Sequence, residues 1–227
     1  DMSLKVPERW RETTLADVAL HVTAKWEPTV GERHTYLGLE HLEQGTGRIL
    51  QTADSDDLSS VKTKFQAGDV LFGKLRPNLR KTAHPNFDGV CSTDIIVVRA
   101  KPDIDPSFLF YTLNRTDTFS HAIKSAAGTK MPRTSWTLMS GFAFHLPPLP
   151  EQRRIAEILY SVDEAIVATQ AVIEQNRRLR SRGLCSLFPQ NLRGGTGDEW
   201  MVMLSEDICA DIVDCKNRTP PRAEKGF

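Results

Sequence analysis

The sequence predicts an α+β fold, in which a mixed α/β domain over residues 1–146 is followed by a long α-helix of the coiled-coil-forming type. Short β-branched and apolar runs, separated by turns that contain Gly and Pro, predict the mixed domain. A regular apolar repeat that begins at Ile155 predicts the helix. Pro147, Pro148 and Pro150 separate the two regions, because proline stops a strand and is tolerated in the first turn of a helix.

The elements of the first domain follow in order along the chain. A Gly-containing turn at residues 65–69 leads into the apolar run at residues 70–72. Residues 94–99 are rich in β-branched side chains and predict a strand. Helices are predicted from residue 106 to 113 and over about residues 118–126, which completes a domain of short strands and short helices.

The long helix is predicted over residues 150–182. Glu151 suits the positive end of the helix dipole, and the arginines from Arg177 to Arg182 suit its negative end. The apolar positions are separated by alternating steps of four and three residues, a heptad seam that is typical of a helix paired with a second helix. A helix packed on its own domain is the alternative. The predicted interface residues are Ile155, Leu159, Val162, Ile166, Thr169, Ile173 and Asn176.

The charges of the chain balance, with 29 basic and 29 acidic residues. Any nucleic-acid partner must therefore be bound by a local basic patch. No apolar stretch has the length of a membrane span, and the N-terminus lacks an apolar signal core, so we expect a cytoplasmic protein without a membrane partner. The four cysteines form no CxxC pair and have no histidine at zinc spacing, so we expect reduced structural thiols and no metal site.

Two basic segments without any acidic residue are the candidates for binding DNA. Loop 74–81 follows the apolar run directly, and loop 128–136 lies between the second short helix and Trp136, which we expect to be a core residue. Basic loops that contain Gly and Pro suit a DNA backbone, although composition alone also allows simple solvated loops. The predicted DNA-binding residues are Lys74, Arg76, Asn78, Arg80, Lys81, Thr129, Lys130, Arg133, Thr134 and Ser135.

Evidence for catalysis in the sequence is weak. Asp88 and Asp94 lie near a predicted strand, as in some Mg²⁺ nucleases, but no Glu-x-Lys follows. No P-loop, dinucleotide fingerprint or GxSxG element is present either. We therefore expect a protein without enzyme activity of its own, with a stand-alone nuclease or DNA methyltransferase, or an interaction strut that does not bind DNA, as the alternatives.

The end of the chain resembles its beginning. Trp200, Asp207 and Ile208 repeat the spacing of Trp10, Asp17 and Val18, after a Gly-rich break at residues 194–197. This repeat predicts the start of a second copy of the first domain over residues 194–227, after a helical spacer over residues 147–193. Because so short a segment does not usually fold unaided, we expect this copy to be truncated.

The segments LPPLPEQRRIAEILYSVDEAI, GDVLFGKLRPNLRK and GTKMPRTSW resemble the specificity subunits of type I restriction-modification enzymes. The resemblance covers essentially the whole chain: one target-recognition domain, the long helix, and the opening of a second recognition domain, where IVDCKNRTPP is similar to the usual start. The first motif is highly specific and the other two are moderately so. The chain departs from the pattern by lacking most of the second domain and the second helix.

The resemblance implies a DNA-recognition subunit that reads one half of a split target in double-stranded DNA. It also implies that two antiparallel long helices hold two recognition domains apart and dock the methyltransferase subunits, with the restriction subunit joining through the complex. S-adenosylmethionine, ATP and Mg²⁺ would then be bound only by partner subunits. In this chain, which lacks the second helix, we expect a homodimer through the seam. The alternatives are that the seam packs on its own domain or that it is covered by the methyltransferase subunit.

Overall fold

The computed structural model describes residues 7–29, 31–56 and 58–187, with the side chains of the last helix described as far as Arg182. The chain divides into two compact units, Asp1–Ala165 and Ile166–Phe227. The predicted second domain start at residues 194–227 lies outside the described residues, as does the repeat that begins at Trp200.

The first unit contains all of the described strands and the short helices. In chain order the elements are β1 (Arg11–Thr14), α1 (Leu15–Val18), β2 (Ala19–Val22), β3 (Lys25–Trp26), β4 (Thr35–Leu37), β5 (Ala53–Asp54), β6 (Lys62–Phe65), β7 (Val70–Gly73), β8 (Thr82–Ala83), β9 (Gly89–Cys91), β10 (Ile95–Ala100), α2 (Pro106–Leu113), α3 (Thr116–Ser125), α4 (Trp136–Met139), β11 (Ala143–Leu146) and α5 (Leu149–Leu187). The predicted strands at 70–72 and 94–99 and the predicted helices at 106–113 and 118–126 are confirmed within one or two residues at each end.

The centre of the domain is an antiparallel sheet of four strands in the order β2-β10-β7-β8. Strand β10 lies between β2 and β7, so that Val98 pairs with His21 on one side and Val70 on the other. A second sheet, in the order β3-β6-β9-β4-β5, is antiparallel except where β4 runs parallel to β9. Strands β1 and β11 form a separate pair, which places the N-terminal strand beside the strand that precedes α5.

Successive residues of β10 point into two different cores, as the two-residue period of a strand requires. Ile95 and Val97 pack in a cluster with side chains of the five-stranded sheet, such as Phe65. Ile96 and Val98 pack on the opposite face with side chains of the short helices, such as Phe119. The domain is therefore built as three layers, with the four-stranded sheet in the middle and helices on one side.

The cysteine that the structure describes in full is a buried structural thiol. Cys91 has no exposed surface and lies in the cluster between the two sheets. Burial raises the pKa of its thiol to about 12, so the thiol stays protonated at neutral pH. This confirms the prediction for Cys91; the side chains of Cys185, Cys209 and Cys215 lie outside the described residues.

The first turns of α5 are packed onto the domain. Gln152 is 1% exposed; its Oε1 accepts from the Asp105 amide at 3.0 Å, and its Nε2 donates to the Pro147 carbonyl at 3.0 Å. Ala156 is buried and Ile155 is partly buried against the helical core. For this part of the helix, the alternative interpretation of a helix packed on its own domain is the one observed.

Two side-chain hydrogen bonds join α5 to the rest of the first unit. The indole of Trp10 donates to Glu151 at 3.1 Å, and the hydroxyl of Tyr111 donates to Asp163 at 2.8 Å. Burial, followed by the hydrogen bond to Asp163, raises the pKa of Tyr111. The helix is thus attached both at its first turn and three turns later.

The apolar seam residues beyond Ile155 are exposed. In the first unit Leu159 is 37% and Val162 is 49% exposed, and in the second unit Ile166 is 48% and Ile173 is 46% exposed. Thr169 and Asn176 are exposed as well. No helix among the described residues combines the length and the apolar character needed to cross a membrane.

Candidate nucleic-acid interface

The fold brings loop 74–81 and loop 128–136 side by side. The Arg76 amide donates to the Pro132 carbonyl at 2.8 Å, and the Thr134 amide donates to the Lys74 carbonyl at 3.0 Å. Leu75 and Arg133 form an isolated antiparallel bridge between these two hydrogen bonds. Two basic segments that are far apart in the sequence therefore form one continuous surface, which extends from the end of β7.

The outer part of loop 74–81 carries side chains that face solvent. A 3-10 turn at Pro77–Leu79 is flanked by Arg76 and Arg80, which both adopt left-handed backbone angles with φ near 50°. Pro77 is buried and anchors the turn, whereas Arg76 and Asn78 are exposed and Lys74 is half-buried. Arg76 and Asn78 thus project from an anchored turn.

The inner part of the same loop has partners inside the domain. Nη2 of Arg80 donates to the Asn114 carbonyl at 3.1 Å, and its guanidinium lies 5.1 Å from the centre of the Phe119 ring. Nζ of Lys81 donates to the Leu39 carbonyl at 2.6 Å. DNA contact by Arg80 and Lys81 stays a prediction, but the structure gives both side chains a role in holding the loop to the domain.

Loop 128–136 divides in the same way. Gly128 has a φ of 100°, and Thr129 and Lys130 after it are exposed. Thr134, by contrast, is 3% exposed, and the Ser135 hydroxyl accepts from the Leu138 amide as the N-cap of α4. Of the predicted residues in this loop, Thr134 and Ser135 shape the surface, whereas Thr129 and Lys130 are accessible.

Arg133 is paired with a carboxylate. Its Nε donates to Asp94 at 3.1 Å, and both side chains remain partly open to solvent. Asp94 immediately precedes β10, so this ion pair connects loop 128–136 to the central sheet. The pair reduces the net charge of the surface near Arg133, while the other exposed cations of the two loops keep theirs.

A pocket of about 230 Å³ opens next to the two loops. The rings of Trp136 and His21 stack in its wall, with centroids 5.7 Å apart and an angle of 24° between their planes. Trp136 also packs against the helical core, as expected of a core residue. The polar residues that line the pocket include His21, Thr23, Lys25, Thr63, Lys74 and Thr93.

His21, Thr23 and Lys25 were not among the site residues predicted from the sequence. The three alternate with Val22, Ala24 and Trp26, and a period of two places them on one side of an extended chain. This polar alternation was the available signal. It did not stand out, because the pairing of β2 with β10 is what places His21 and its neighbours beside loops that are distant in the sequence.

The two aspartates considered for nuclease chemistry have structural partners. Asp88 accepts from the Ala67 amide at 2.7 Å, and Asp94 pairs with Arg133. Within the described part of the chain, no group of three or more His, Cys, Asp or Glu residues is arranged to hold a metal ion. These two carboxylates therefore stabilise turns and loops of the domain.

An α+β domain that carries a basic surface made of two paired loops and is followed by a long helix is typical of a nucleic-acid-binding module attached to a helical spacer. Residues 49–175 match the family model for the type I restriction modification DNA specificity domain. Because this match covers more than half of the chain, the chain belongs to that family.

Two curated relatives that match the chain are specificity subunits. The chain is 29% identical, over 86% of its length, to the type I restriction enzyme EcoDI specificity subunit of Escherichia coli, and 24% identical, over 83%, to the MjaVIII specificity subunit of Methanocaldococcus jannaschii. In both cases the alignment covers 44% of the relative. The chain thus spans less than half the length of these proteins.

Solved structures share the fold. The HsdS subunit from Thermoanaerobacter tengcongensis is 26% identical with a TM-score of 0.63, and the match covers 86% of this chain and 53% of that one. A chain from a structure on complex assembly and conformational transition of the type I R-M system is 26% identical with a TM-score of 0.66, and the match covers 84% of this chain and 52% of that one. The predicted fold class is confirmed by these similarities.

Proposed function

We propose that this chain is a sequence-specific DNA-recognition module of a type I restriction-modification complex and binds double-stranded DNA through loops 74–81 and 128–136. The observation that carries the proposal is the backbone pairing of the two loops, which gathers exposed cations on one surface of a chain without net charge. Such a cluster suits a DNA backbone, because the affinity of a protein for DNA comes largely from cations that displace condensed counterions. The family and its specificity subunits support the same function.

The accessible side chains of the surface suit two kinds of contact. Lys74 and Lys130 are flexible cations that suit phosphates. Arg76 and Asn78 project from the anchored turn at Pro77, and arginine and asparagine are the side chains that pair with guanine and adenine edges in the major groove. We assign phosphate contacts to the lysines and base contacts to the turn.

In this function the chain has no catalytic role of its own. The partners would be methyltransferase subunits docked on α5 and, through the complex, the restriction subunit, with S-adenosylmethionine, ATP and Mg²⁺ bound by those subunits. Engagement of Asp88 and Asp94 in structural contacts supports this assignment over a stand-alone nuclease. Incubation of the purified chain with DNA and Mg²⁺, or with DNA and S-adenosylmethionine, tests it, since strand cleavage or methyl transfer by the chain alone would contradict it.

Selection from a pool of random duplexes tests the recognition function. The chain, with its methyltransferase partner, is expected to enrich one short motif. The logarithm of its affinity for a non-specific duplex should fall linearly with the logarithm of the salt concentration, with a slope proportional to the number of phosphates neutralised. Enrichment of no motif by a complex that still assembles would reject sequence recognition. Wild-type binding by Lys74→Ala, Arg76→Ala, Asn78→Ala and Lys130→Ala alike would reject this surface.

We also propose that two copies of the chain can pair through α5. The supporting observation is the exposure of Leu159, Val162, Ile166 and Ile173, because burial of each such side chain contributes on the order of 1.5–3 kcal/mol. A homodimer that dissociates on dilution is expected in sedimentation, and Leu159→Asp or Ile166→Asp should abolish it. Ile155→Ala is not an equivalent probe, because Ile155 packs on its own domain. A strict monomer at tens of micromolar would reject the homodimer.

A further inference from the structure

The pocket beside the two loops has a third wall that the loops do not supply. His21 lies on β2, Lys25 lies on β3, and Thr23 lies between these strands. Lys74 closes the opposite side from the end of β7. Residues from five separate parts of the chain therefore line one cavity.

The pocket has the chemistry of an anion site. Lys25, Lys74 and Arg133 line it, together with hydroxyl groups such as those of Thr63 and Thr93. Nζ of Lys25 donates to Thr63 at 3.3 Å, which directs the ammonium group along the pocket wall. Arg133 is paired with Asp94, but among the described residues no carboxylate lies within ion-pair distance of Lys25 or Lys74. Two positive charges are thus left without a counter-charge.

The aromatic rings in the wall are engaged with each other. His21 and Trp136 stack on each other, so the faces that meet in the stack are not open to a third ring. The cavity of about 230 Å³ suits a small hydrated anion, because a water molecule occupies roughly 30 Å³ in the liquid. The charge of the pocket favours a phosphate group over a nucleobase.

We propose that this pocket is a seat for one backbone phosphate of the bound duplex, held by Lys25 and Lys74 with His21 as a further donor. The proposal rests on the proposed DNA-binding function and adds a contact from the β2–β3 segment, on which no residue was predicted from the sequence. Non-bridging phosphate oxygens accept hydrogen bonds from lysine and from imidazolium, so all three side chains can act at once.

Coupling between phosphate binding and protonation of His21 would distinguish this seat from a surface that is only basic. Partial burial first, and then the charges of Lys25 and Lys74, lower the pKa of His21. The other charged groups at the pocket are Arg133 and its partner Asp94. A bound phosphate counteracts the two lysines and raises the pKa of His21, so binding takes up a proton. Affinity through this contact is therefore expected to rise as the pH falls towards the pKa of His21 in the free protein, which lies below the ordinary histidine value of about 6.5.

A matched pair of lysine variants tests the seat in duplex binding. Lys25→Gln removes a charge from the pocket, whereas Lys64→Gln removes one from the adjacent strand β6, where Lys64 lines a different cavity. The full chain is titrated with one duplex over a salt series. For Lys25→Gln the log–log salt slope should be shallower by about 0.9, which corresponds to roughly eightfold weaker binding at 0.1 M salt, and Lys64→Gln should match the wild type. Equal slopes for the two variants would overturn the seat while leaving the DNA-binding function intact.

Titration with inorganic phosphate separates the seat from the DNA-binding function. The imidazole resonances of His21, identified by their loss in His21→Gln, are followed by NMR in the full chain over pH 5–8. Added phosphate should raise the His21 pKa in the wild type and in Lys64→Gln, and should have a smaller effect in Lys25→Gln. No response of His21 to phosphate would overturn the seat. A clear response in a chain that binds no duplex would leave an anion site and reject the DNA function instead.

Discussion

Two arginines of loop 74–81 share a backbone conformation but have different surroundings. Arg76 and Arg80 are the same residue in the same left-handed backbone conformation, on either side of one 3-10 turn. Arg76 is exposed, whereas Arg80 lies over the Phe119 ring and donates to the Asn114 carbonyl. The difference teaches that the fold sorts a run of basic residues into cations that face solvent and cations that hold the loop to the domain.

The largest expected effect on stability is the loss in Arg80→Ala. The substitution removes a cation–π contact and leaves the Asn114 carbonyl without this donor, which together should lower the free energy of unfolding by about 2 kcal/mol. Urea unfolding measures the change. Arg76→Ala is the matched control, because it carries the same backbone penalty and should stay within about 0.5 kcal/mol of the wild type. Equal destabilisation by both variants would contradict the inward role of Arg80.

For DNA binding we expect the larger effect in Arg76→Ala and the smaller one in Arg80→Ala. Arg76→Ala should weaken binding to the selected sequence by about 1–3 kcal/mol, because a base contact is lost, and should relax specificity at one position. Arg80→Ala, measured at a temperature where it is fully folded, should keep the wild-type salt slope. A fall in slope of about one unit in Arg80→Ala would show instead that Arg80 leaves Phe119 to bind a phosphate.

A third comparison concerns Arg133, which is accessible but already paired. Asp94→Ala removes the carboxylate 3.1 Å from Nε of Arg133 and frees a cation on the surface. We expect tighter binding to non-specific duplexes at low salt, with a salt slope steeper by up to about one unit. Stability should fall by no more than about 1 kcal/mol, because the ion pair is partly exposed. Weaker DNA binding by this variant would mean that Asp94 serves to orient Arg133 for a contact.

The last comparison concerns His84, just beyond the inner end of the loop. Burial lowers the pKa of His84, and this effect outweighs a hydrogen bond with Gly68 and the nearby Asp105 and Asp69. The unfolded chain therefore binds a proton near pH 6.5 that the folded chain resists, so stability is fully present above that pH and falls below it.

His84→Phe should flatten this pH dependence while keeping the stack on the Phe110 ring, whose centroid lies 5.6 Å away. The flattening is at most about 1.4 kcal/mol per pH unit, the limit for one proton. Urea unfolding at pH 7.5 and pH 5 measures it. An unchanged difference between the two pH values would assign the acid sensitivity to other groups, such as His21.

Local patterns were enough to predict most of the elements. The strands at 70–72 and 94–99 were predicted from runs of apolar and β-branched residues, and the helix at 106–113 was predicted from the apolar residues of its buried face. All of these are short-range signals. The start of α5 was predicted within one residue from Pro150. Both basic loops were identified, because a segment without acidic residues is visible in any neutral chain.

The sequence by itself determined which segments are helical, extended or basic, since these depend on neighbours along the chain. Only the tertiary structure decided which side chains meet. The packing of Ile155 against the domain core, the stack of His21 on Trp136 and the contact of Arg80 with Phe119 each join residues from separate elements. Such contacts depend on strand order and helix docking, which are set by the packing of the whole core rather than by any local pattern.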